Sequence, residues 1–71
     1  MDFKKITIKT ATIKLDQFLK WADIVGSGGE AKMIIKDEQV KLNGEIITQR
    51  GKVLTKGDII TVEGINYQVE N

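Results

Sequence analysis

Apolar residues recur along this chain with two different periods. In KKITIKTA, the β-branched residues suggest a short strand in which Ile6 and Ile8 would share one face. From Leu15 the period lengthens. Leu15, Phe18, Leu19 and Ala22 follow i, i+3, i+4, i+7, the stripe of a helix lying on a core. The pattern predicts a first helix over residues 13–23 with Thr12 as its cap, and Gly26 interrupts the chain after it. Ser27 and Glu30 match a capping box, in which a hydroxyl accepts from the backbone three residues on and a carboxylate reaches back. A second helix over 28–37 would turn Ala31, Ile34 and Ile35 inward.

Beyond it the period falls to two. Asn43-Gly44 is the dipeptide best suited to positive φ at both central positions of a two-residue hairpin. Leu42 then faces Glu45 and Val40 faces Ile47, so Val40, Leu42 and Ile47 share one side and Lys41 takes the other. Lys56-Gly57-Asp58 reads as a turn into a strand with Ile60 and Val62 toward the core, and Gly64 permits a last reversal before Ile65–Val69. The expected class is α+β: two consecutive helices packed on a small, mostly antiparallel sheet.

Composition narrows the chemistry. Seventy-one residues make one domain, 1–71, near the lower limit at which a core suffices without staples. With no cysteine and no histidine, disulfides, thiolate chemistry and the usual zinc sites are excluded, and no cofactor is expected. Neither a membrane-length apolar run nor a signal-peptide core is present, so a cytoplasmic protein is expected. The usual general base and nucleophile are missing and the acidic residues are scattered, which argues against an enzyme. Ser27-Gly28-Gly29 at a helix start could meet an anion, but neither nucleotide-loop pattern is present.

Net charge is only +1, yet it is unevenly spread. Residues 1–20 hold five lysines against Asp2 and Asp16, while the last fifteen residues hold Asp58, Glu63 and Glu70 with no cation. Gly28, Lys32 and Lys36 recur every fourth residue and so stack on one ridge, clear of the inward residues. With Lys41 on the hairpin, Lys14 and Lys20 beside the first helix's stripe, and Arg50 and Lys52 in the following loop, helix and hairpin would present one basic face suited to phosphates. Phe18 and Trp21 could stack on bases, but Phe18 sits within the apolar stripe and Trp21 at its edge, so packing is the expected role of both. Tyr67 reads as a sheet residue, and Met33 falls off the inward stripe.

Four motifs in order carry a resemblance: Lys14-Leu15-Asp16, Ser27-Gly28-Gly29-Glu30-Ala31, Val40-Lys41-Leu42-Asn43-Gly44 and Lys56-Gly57-Asp58-Ile59-Ile60. Together, over roughly residues 13–62, they resemble the RNA-binding domain named after ribosomal small-subunit protein S-four (the alpha-L motif), in particular its stand-alone bacterial members of the YaaA/YbcJ type. The resemblance implies a non-catalytic monomer that binds structured RNA, ribosomal or transfer RNA, in ribosome assembly or translation, with ribosomal proteins as possible neighbours. Carried over by position, the contact residues are Lys14, Ser27, Gly28, Lys32, Lys36, Lys41, Asn43, Arg50 and Lys52, with Asn43 at the hairpin tip reaching a 2′-hydroxyl or base edge. One departure stands out: Gly28 occupies the position where the family commonly carries arginine, which removes a bidentate phosphate fork. The competing expectation is a protein-docking module that keeps this fold without binding RNA.

Overall fold

A computed structural model describes residues 3–71; Asp2, counted in the N-terminal charge balance, lies outside them. Elements run β1 (Phe3–Thr7), β2 (Thr12–Lys14), α1 (Leu15–Trp21), α2 (Gly28–Lys36), β3 (Val40–Leu42), β4 (Glu45–Ile46), β5 (Val53–Thr55), β6 (Ile59–Val62) and β7 (Ile65–Glu70). Five strands form one sheet in the order β1-β7-β6-β3-β4, antiparallel except for the β1–β7 pair, and β2 pairs separately with β5. The expected α+β architecture is what the chain adopts.

Both helices lie on one face of the sheet. Leu15, Phe18 and Leu19 of α1 and Ala31 and Ile35 of α2 are buried with Val40, Ile60, Val62 and Val69 from the strands. Each of these side chains larger than alanine contributes about 1.5–3 kcal/mol when fully withdrawn from water. Leu54 of β5 and Val25 of the interhelical loop complete the core, neither of them marked by periodicity. Strand alternation sends the remaining residues to the far face. There Phe3, Asn66, Thr61, Lys41 and Ile46 form one row across all five strands.

The first helix differs from expectation at both ends. Thr12 does not cap it. Residues 12–14 are held extended against Val53–Thr55, so the helix starts at Leu15 with Lys14 as a cap that makes no side-chain hydrogen bond. The first amides are satisfied from far along the chain instead: Leu15 N–H donates to the Lys52 carbonyl at 2.8 Å and Asp16 N–H to the Arg50 carbonyl at 3.1 Å. The helix also ends before Gly26. Asp23 takes φ +60°, its N–H reaches the Lys20 carbonyl, and Ile24 N–H reaches the Leu19 carbonyl, closing a Schellman motif without glycine. At the end of α2, Glu38 at φ +62° does the same, with bonds from Glu38 to Ile35 and from Gln39 to Ile34.

The hairpin follows its sequence signal. Asn43 and Gly44 have φ of +50° and +90°, Leu42 pairs with Glu45, and Ile47 N–H donates to the Val40 carbonyl. Glu63 and Gly64 repeat the device between β6 and β7, at φ +52° and +78°. The Asn43 carboxamide is committed to the fold. Its Oδ1 accepts from Ile59 N–H at 2.9 Å, and its Nδ2 donates to Asp58 Oδ1 at 3.2 Å, while Asp58 Oδ2 accepts from Thr55 N–H. One side chain thus ties the β3–β4 tip to the β5–β6 turn.

Asn43→Ala should lower stability by about 1–3 kcal/mol, since it orphans the Ile59 amide and keeps a positive φ; chemical denaturation would show the loss. Glu38→Gly should act oppositely. Relief of about 1–2 kcal/mol of left-handed strain outweighs the roughly 0.5–1 kcal/mol of added chain entropy, so the midpoint of thermal unfolding should rise.

Candidate nucleic-acid interface

The nine residues singled out by sequence fall into three groups. The first is at the start of α1. Because the backbone carbonyls of Lys52 and Arg50 receive the first two amides of the helix, the loop carrying these side chains is tied to Lys14 and the helix end. All three side chains are exposed. Cations gain nothing from the positive end of a helix dipole; only Asp16, whose Oδ1 accepts from Gln17 N–H at 2.8 Å, opposes them there. Such a cluster has a use when an external anion joins it.

The second group lies along α2. Ser27 Oγ accepts from Glu30 N–H at 3.2 Å, as a capping box requires, but the Glu30 carboxylate reaches one residue further back and accepts from Gly26 N–H at 2.7 Å. The Glu30 negative charge is thereby drawn back over the cap, and among the described residues the Gly28 and Gly29 amides have no acceptor. A Cβ placed on Gly28 would meet nothing within 4 Å. Lys32 and Lys36 continue this ridge, one and two turns on, and both are exposed.

The third group does not join the others. Lys41 projects from the sheet face away from the helices, flanked in its row by Thr61 and by Ile46, which is 54% exposed. The single basic face expected across helix and hairpin is therefore divided between the helical layer and the opposite sheet surface. Asn43, with both polar ends of its carboxamide bonded within the chain, acts first as a fold residue. The charge contrast between the chain ends is also not a contrast between faces. The β1–β7 pairing sets Lys5 beside Gln68 and Thr7 beside Glu70.

Trp21 was expected to pack, yet it is 49% exposed. Its indole N–H donates to the Thr7 carbonyl at 2.8 Å, and Lys9 Nζ lies 5.8 Å from the ring centroid. Its position at the edge of the apolar stripe was the available signal; what decided the exposure was the early end of α1.

Comparison with known proteins shows the family and the fold. The family model described as S4 domain matches residues 6–70. A Bacillus subtilis protein described as "Probable ribosome maturation protein RlbA" is 43% identical over 67 residues, covering 93% of this chain and 94% of its own. The solution structure of YbcJ from E. coli, described as revealing an alfa-L motif involved in RNA-binding, superposes with a TM-score of 0.72 at 25% identity, over 100% of this chain and 91% of that one. The crystal structure of the 30S ribosomal protein S4e from Thermoplasma acidophilum shares the fold, with a TM-score of 0.63 at 22% identity; 84% of this chain is matched, but only 32% of the ribosomal protein. In sequence over nearly its whole length and in the course of its backbone, this chain belongs to the S4 domain family.

Proposed function

We propose that this protein binds structured RNA through its helical layer, without catalysing a reaction, and that its target is ribosomal RNA during ribosome maturation. The carrying observation is the gathering of Lys14, Arg50 and Lys52 at the start of α1, where backbone bonds rather than ion pairs hold them together. Phosphate would supply the charge that this end of the helix lacks, and the exposed Lys32 and Lys36 add cations on the helix packed beside it. The α2 start, with its two open amides, offers a further contact for a phosphate oxygen. A small face of this kind suits recognition of shape and backbone more than of sequence. The maturation role draws on the similarity to the Bacillus subtilis protein, and RNA as ligand on the similarity to YbcJ.

Salt dependence tests the reading. Replacing Lys14, Arg50 and Lys52 together by glutamine should reduce the slope of log affinity against log salt by about 2–3, at roughly 0.7–0.9 per phosphate contact. Thermal unfolding should not fall, because carbonyl oxygens rather than these side chains cap α1 and neutral glutamines relieve the repulsion between cations and the helix dipole. Lys41→Gln, on the opposite sheet face, should leave the slope as it was. An unchanged slope in the triple variant would overturn the assignment of this face.

Gly28→Arg makes the complementary test. Open space surrounds the position, so the fold should tolerate the change. One added phosphate contact should steepen the slope by about 0.7–0.9 and raise affinity for a structured ribosomal RNA fragment.

A further inference from the structure

Beside the helical layer lies a groove that the phosphate-binding residues do not use. Its volume is about 300 Å³, and buried Ile8, half-buried Ile13 and the exposed indole of Trp21 supply its apolar surface. A more open concavity of about 450 Å³ shares Ile13, Gln17 and Trp21 and reaches Lys20. Lys9 stands over the indole in the first, and no acidic residue lines either. The size lies at the bottom of the range for small-ligand sites, room for one nucleotide and not for a helix.

Three observations select the occupant. The indole has only one polar atom, and that atom is spent on the Thr7 carbonyl, so the ring is held in place while about half of its surface, 49%, stays open beside Lys9. Lys9 lines the groove and Lys20 the adjoining concavity, so each calls for an anion near whatever meets the ring. Gln17 lies between them, its carboxamide engaged by no hydrogen bond to a described residue. A carboxamide presents a donor and an acceptor together, which a nucleobase edge can match and a carboxylate cannot. We infer that the Trp21 groove binds one unpaired nucleotide of the RNA, its base stacked on the indole and its flanking phosphates met by Lys9 and Lys20. Gln17, Lys20 and Trp21 all belong to α1, whose cap residue is Lys14, so one short helix carries both the groove and the cation cluster at its start. The inference rests on the RNA-binding reading and adds a single-stranded feature to its target.

Trp21 is the sole tryptophan of the chain, so intrinsic fluorescence reads the groove directly. The probes are a blunt RNA hairpin and the same hairpin carrying a short unpaired uridine extension at its 3′ or 5′ end. One of the extended hairpins should quench Trp21 and bind roughly 5- to 150-fold more tightly than the blunt one, the range expected for one base–aromatic stack. Trp21→Ala should abolish that gain while leaving affinity for the blunt hairpin unchanged. Because Trp21 also bonds to Thr7, Gln17→Ala and Lys9→Ala provide a second route; each alters only an exposed groove residue and should shrink the gain in a fully folded protein. Equal affinity for blunt and extended hairpins, with Trp21 unquenched, would overturn the groove assignment and leave the RNA reading standing. Failure of every hairpin to bind would overturn both. Quenching by a polyglutamate peptide but by neither extension would assign the groove to an acidic protein segment instead.

Discussion

Two hydrogen bonds from the start of α1 to the carbonyls of Lys52 and Arg50 organise this molecule. A helix of seven residues is too short to persist alone, and its cap residue, Lys14, has no side-chain acceptor to offer. The acceptors come from a loop some thirty-five residues later, delivered by the β2–β5 ladder that holds Thr12–Lys14 extended. That arrangement seats Leu15, Phe18 and Leu19 over the sheet. It also brings three cations to the end of the helix that least favours them. Fold and candidate function thus share one set of backbone bonds.

Placement of charge follows from strand alternation rather than from distance along the chain. Lys41 belongs to the hairpin that follows α2 closely, yet the alternation that buries Val40 turns it to the far sheet face. The positive first segment and the negative last segment end up side by side because β1 pairs with β7 in parallel. Arg50 and Lys52, which had no periodicity to place them, are tied by their backbone carbonyls to the start of α1. A near-neutral chain can therefore hold a local basic track, one that total charge does not reveal.

Asn43 and Trp21 each have surroundings that the local pattern does not show. Asn43 stands at an exposed hairpin tip, the natural place for a contact, but its carboxamide bridges two turns separated by fifteen residues. Trp21 extends an apolar stripe, the natural place for packing, but α1 stops at Trp21 and its indole lies against the end of β1 with half its surface in solvent. In each case the deciding partner is remote: Asp58 and Ile59 for one, Thr7 for the other.

Local signals determined what local chemistry controls. The Ser27 cap, the Asn43-Gly44 turn and the inward sets of α2 and β6 are each specified by a few neighbouring residues, because capping geometry, positive φ and side-chain period need no distant partner. Four such motifs in order also sufficed to suggest the family. Tertiary structure alone decided the ends of α1, the burial of Leu54, the division of the basic residues between two faces and the exposure of Trp21. The end of α1 was hidden because Asp23 fills a position that glycine usually marks. The rest depended on pairings across the fold, β2 with β5 and β1 with β7, and a one-dimensional pattern records the face a residue prefers, not the strand that will lie beside it.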